Sequence, residues 1–165
     1  GMGRHSRSKE KFDLIMAKKL PNDALLTEII QQVSSAKTKK EKIALLQQYN
    51  NNGLRSVLII NFDESLKFSL PEGDVPFKRN EAPAGTEHTR LDHEYKGFYR
   101  FFKGGDETLT SMHREKLFIQ LLEGLQEDEA DLFILACNKN LQSKYRVTKA
   151  VVAEAFPQIE WGNRG

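Results

Sequence analysis

Two short basic segments hold the residue types best suited to chemistry in this chain. The first runs Lys37-Thr38-Lys39-Lys40-Glu41-Lys42 and the second Lys144-Tyr145-Arg146-Val147-Thr148-Lys149. Each has a Thr where a helix N-cap belongs, and Glu41, three residues after Thr38, gives the first the spacing of a capping box. The first turn of a helix has backbone N–H groups with no acceptor inside the helix, and flanking lysines add positive charge. A phosphate oxygen suits such a start. The candidate DNA-binding residues are therefore Lys37, Thr38, Lys39, Lys40, Lys42, Lys144, Arg146, Thr148 and Lys149. The plain alternative at each Thr is a cap that only begins a helix.

Other reactive types are present without the spacing that reactions need. His88, Asp92, His93, Glu94 and His113 are metal-ligand types, but no His-Glu-x-x-His pattern occurs, so no metal is expected. Cys137 is the single cysteine and follows the apolar run Leu132-Phe133-Ile134-Leu135-Ala136. It reads as a small core residue of a protein kept in a reducing compartment. Lys103-Gly104-Gly105-Asp106 lacks the phosphate-loop spacing and reads as a turn. Glu127, Asp128, Glu129 and Asp131 occupy one helical first turn, where they suit the helix dipole and need no further role. No nucleophile, acid–base pair or cofactor motif emerges, so an enzyme, a cofactor and a small-molecule substrate are not expected.

The elements that must position the basic segments are helical. Leu25, Leu26, Ile29, Ile30 and Val33 form one apolar face of a first helix that Pro21 would open. Thr38 begins a second helix through Tyr49, and the short junction implies an antiparallel hairpin. Asn50-Asn51-Asn52-Gly53 ends it, and Leu54 to Phe62 reads as a third helix, with a strand as the alternative. Residues 63–106 carry Pro71, Gly73, Pro76, Pro83 and Gly85. They predict a long excursion with room for short strands, packed by Phe68, Leu70, Val75 and Phe77. Tyr95, Phe98, Tyr99, Phe101 and Phe102 close it, and most of these rings should fill the core rather than stack on bases. Leu117 to Leu125, Glu127 to Asn138, and Thr148 to Phe156 before Pro157 supply the remaining helices. The fold class expected is mainly α, about six helices in a compact single domain over residues 21–165.

Composition sets the outer limits. The 165 residues are 39% hydrophobic and 29% charged, enough for one domain with a core, and no run approaches the roughly 18 apolar residues of a membrane span. The net charge is only +2, so nucleic-acid binding must come from local patches rather than a uniformly basic surface. Residues 1–20 form a basic arm, expected to be mobile or loosely helical. Gly1 before Met2 reads as the remnant of a removed tag, and Met16 is a second possible start.

The order of these pieces carries a resemblance. Glu28-Ile29-Ile30 through Gln47-Gln48-Tyr49, Leu117 to Leu135, and Val147-Thr148-Lys149-Ala150-Val151-Val152-Ala153-Glu154-Ala155-Phe156-Pro157 resemble, in that order, the N-terminal helical DNA-binding domain of ATP-dependent DNA ligases, phage ligases especially. The resemblance implies a duplex ligand, nicked or bent, held at the two helix starts. The Lys-x-Asp-Gly motif whose lysine accepts AMP is missing, and Arg146 stands where ligases commonly have Gly. A second set of segments, Leu70-Pro71-Glu72-Gly73, Pro76-Phe77-Lys78, Asn80 to Thr89 and Phe102-Lys103-Gly104-Gly105, resembles a family of uncharacterised proteins of marine tailed phages. That likeness implies a phage source and a cytoplasmic life in an infected host. The alternative function is a protein-interaction adaptor in phage replication or host takeover. A phage or host protein would then bind the Pro-rich stretch 71–89 in place of DNA.

Overall fold

The computed structural model describes residues 20–70, 76–79 and 87–164. Among them are seven α-helices, α1 (Leu26–Ser35), α2 (Lys39–Gln48), α3 (Asn52–Phe62), α4 (Leu91–Glu94), α5 (Ser111–Gly124), α6 (Glu127–Cys137) and α7 (Lys149–Ala155). Two 3-10 helices join them, η1 (Tyr95–Phe101) and η2 (Leu141–Ser143). The expected mainly helical single domain is thus present. Apart from Leu20, the basic arm lies outside the described residues, as do Pro71, Gly73, Val75, Pro83 and Gly85 of the excursion.

Each helix buries the face its apolar spacing defines. Leu26, Ile29, Ile30 and Val33 of α1, Leu54, Val57 and Leu58 of α3, and Leu122, Leu132 and Phe133 of α5 and α6 belong to one continuous core. The residue-54–62 segment is a helix, because its apolar positions face α6 on one side and α4 with η1 on the other. α2 packs on both α1 and α7, which makes it the element joining the two ends of the chain.

Four expectations shift. Pro21 does not open α1; its carbonyl accepts from Ala24 N–H at 3.0 Å in a preceding turn, and the helix begins at Leu26. Asn52 and Gly53 do not terminate α2 but start α3, with the Asn51 side chain accepting from Leu54 N–H at 2.7 Å. The late part of the excursion is helical, forming α4 and η1, and its pairing among the described residues is a single bridge between Phe68 and Phe102. Glu129 has a role beyond the helix dipole, as the buried contacts below show.

The aromatic run behaves as a core element. The three-residue period of η1 puts Phe98 and Phe101 on one face. Phe98 meets Phe133 with ring centroids 4.6 Å apart, and Phe101 meets Phe118 edge-on at 5.2 Å. Tyr99 points the other way and is 54% exposed.

A carboxylate stitches three helices together. Neither Leu25 nor Arg90, the residues before α1 and α4, places a side chain to cap its own helix. Glu129 of α6 does this from a distance, accepting from Leu26 N–H and Leu91 N–H, both at 3.1 Å.

Candidate nucleic-acid interface

The two basic segments, more than a hundred residues apart in sequence, meet in space. Lys42, on the first turn of α2, donates from Nζ to the Arg146 carbonyl, and Arg146 N–H donates to Ser34 Oγ at 2.8 Å. The backbone of residue 146 is thereby clamped between the end of α1 and the start of α2. Ser34 was missed by sequence reasoning, as nothing local to it signals a partner so far along the chain.

Both threonines act as caps. Thr38 Oγ1 accepts from Glu41 N–H at 3.2 Å, and Thr148 Oγ1 accepts from Val151 N–H at 3.3 Å. The reciprocal half of the expected capping box is displaced by one residue. Glu41 Oε2 accepts from Lys37 N–H at 3.2 Å, not from the Thr38 amide. That bond fixes the backbone leading into α2 and places a carboxylate beside the lysines.

The cations divide into two groups. Lys39 pairs with Glu154 of α7 at 3.0 Å with both side chains 59% exposed, Lys144 sits 5.5 Å over the Tyr145 ring, and Lys149 sits 5.1 Å over Trp161. Among the described residues, Lys37, Lys40 and Arg146 are exposed and make no ion pair. These three are the charges best placed to meet a phosphate. The backbone at Arg146 has an ordinary negative φ, for the positive values at described non-glycine residues belong to Lys139 and Asn163. Nothing about its conformation calls for glycine.

Lys139, five residues before the second basic segment, faces elsewhere. Its ammonium donates to the carbonyls of Ile60 and Asp63 at 2.7 and 2.6 Å, at the C-terminal end of α3. Burial pulls its pKa down.

The metal-ligand types do not converge. Asp92 engages Arg90 at 2.9 Å, Glu94 accepts from Thr89 Oγ1 at 2.6 Å, and no group of three ligand-type residues gathers among the described residues. Cys137 is buried, and burial pushes its thiol pKa well up. No helix among the described residues is long and apolar enough to cross a membrane.

A mainly helical domain, closed on itself by a cationic seam between two helix starts, is the class that the fold and this surface define. The chain belongs to DUF6433, a family of unknown function, whose sequence profile matches residues 29–143. No curated protein matches the chain. The first basic segment lies inside the family span and the second just beyond it.

Proposed function

We propose that this protein is a non-catalytic DNA-binding module of phage origin that grips duplex DNA through backbone phosphates in the cytoplasm of an infected cell. The observation that carries it is the seam itself: Lys42 and Ser34 hold the residue-146 backbone against the end of α1 and the start of α2, so that two distant segments, with the exposed Lys37, Lys40 and Arg146, lie next to each other. Phosphates along a duplex are repeated charges, and exposed cations beside the first turn of α2 can meet them. Such contacts set position and orientation and read little sequence. The phage source and the duplex ligand draw on the resemblances given above.

Fluorescence anisotropy with labelled intact, nicked and single-stranded DNA tests this. Lys40→Ala and Arg146→Ala should each weaken binding to duplex about equally across sequences, lowering the salt slope by about one per lost contact. Absence of binding at low salt rejects the proposal.

A groove of about 500 Å³ favours the adaptor alternative. Its walls include Phe68 and Phe77 from the excursion and Ile134 and Leu135 from α6, all partly exposed apolar residues that a partner side chain would cover. Deleting residues 72–88 should then abolish capture of a phage or host protein while the helical circular dichroism persists. Unchanged capture rejects that reading.

A further inference from the structure

Resting on the phosphate-binding surface proposed above and extending it to Lys149 at the start of α7, we propose that Trp161 is a positioning residue for Lys149, and that a latch at Asp63 holds it there. The chain leaves α7 at Phe156, turns at residues 157–158 and returns as an irregular strap toward the end of α3. Asp63, at the C-cap of α3, is 1% exposed and serves as the anchor. One of its oxygens accepts from Ser65 N–H and Ser65 Oγ at 2.9 and 2.6 Å. The other accepts from Gly162 N–H at 3.1 Å and pairs with the Arg164 guanidinium. Arg164 N–H also donates to Ser65 Oγ at 2.9 Å, and its guanidinium to the Glu160 carbonyl. Gly162 and Arg164 are therefore fixed on either side of Asn163, and both Gly162 and Asn163 have positive φ.

That fixed strap decides where Trp161 lies. Its half-buried ring packs on the core and carries the Lys149 ammonium 5.1 Å from its centroid. A lysine side chain in water samples many rotamers, and a phosphate contact must stop that motion. With its ammonium held on an aromatic face, Lys149 has already lost part of that freedom. Trp161 touches no phosphate in this scheme; it acts through Lys149.

Three measurements on the full chain test the inference. In the free protein, proton NMR of Lys149 should show its terminal methylene signals shifted upfield by the Trp161 ring. Arg164→Gln, which opens the latch from the solvent side, should weaken that shift and move the emission of Trp161, the single tryptophan, to the red. Asp63→Asn should do both more strongly. In DNA titrations, Trp161→Leu should weaken duplex binding about three-fold, Trp161→Phe should restore most of it, and neither should matter once Lys149 is Ala. An absent upfield shift, a Trp161→Leu variant that binds as tightly as wild type or tighter, or an undiminished effect in the Lys149→Ala background each overturns the inference. A wild type that binds no DNA overturns the phosphate surface and this inference together, whereas binding that ignores Trp161 overturns the inference alone.

Discussion

Burying a carboxylate with no cation bonded to it costs free energy, and Glu129 sits at 0% exposure with two amide N–H groups as its bonded partners. Burial raises its pKa from the ordinary 4.5 to about 7, against the opposing pull of the Leu91 and Leu26 amides. Between those two values the folded protein holds a proton that the unfolded chain releases. The associated stability is fully present below pH 4.5 and is lost as pH rises through about 7, on the order of 3 kcal/mol. Wild type should therefore lose stability relative to Glu129→Gln between pH 5 and 8, as read by urea unfolding. Parallel profiles for the two proteins contradict this. Asp63 behaves oppositely. Although its burial acts to raise the pKa, its bonds to Ser65, Gly162 and Arg164 prevail and hold it at about 2. Its contribution is present above the ordinary 3.8 and is lost only as pH falls through about 2, outside the window in which Glu129 titrates.

The helices of this protein are held at their ends as much as along their faces. Replacing Thr38 or Thr148 with Ala removes a cap bond at the start of α2 or α7 and should cost about 1 kcal/mol each in denaturant unfolding. Gly53 makes a sharper demand. A Cβ there would stand 2.5 Å from the Asp92 Cα of α4, so Gly53→Ala must push two helices apart. The gain in helix propensity is smaller than that overlap, and a net loss of about 1–3 kcal/mol is expected. The apolar spacing of α1, α5 and α6 was legible in the sequence because i, i+4 repetition is local. The cap at Asn51 was not, because the Asn-Asn-Asn-Gly run signals the end of one helix as strongly as the start of another. Glu129 was misread for a deeper reason. Its partners lie 103 and 38 residues away, and charge in a first turn looks the same whether solvent or two other helices face it.

Across the whole molecule the net charge of +2 leaves little general attraction for DNA, so the proposed binding rests on local geometry. Sequence alone picked out both basic segments but not their meeting, which depends on α2 packing against α7. It also counted Lys39 among the available cations, whereas Glu154 holds it in an exposed pair that salt and phosphate would compete to break. Glu154→Gln releases Lys39 and removes one negative charge from the surface. Duplex affinity should rise several-fold at low salt, an effect that anisotropy would read and that should be smaller in a Lys39→Ala background. The central claim is that cations from both segments act on one duplex. The most direct measurement is the salt dependence of wild-type binding to a short duplex, beside Lys40→Ala, Arg146→Ala and the double variant. A log–log slope that falls by about one for each single variant and about two for the double variant is the predicted result. A slope near zero, or one that neither substitution changes, would contradict it.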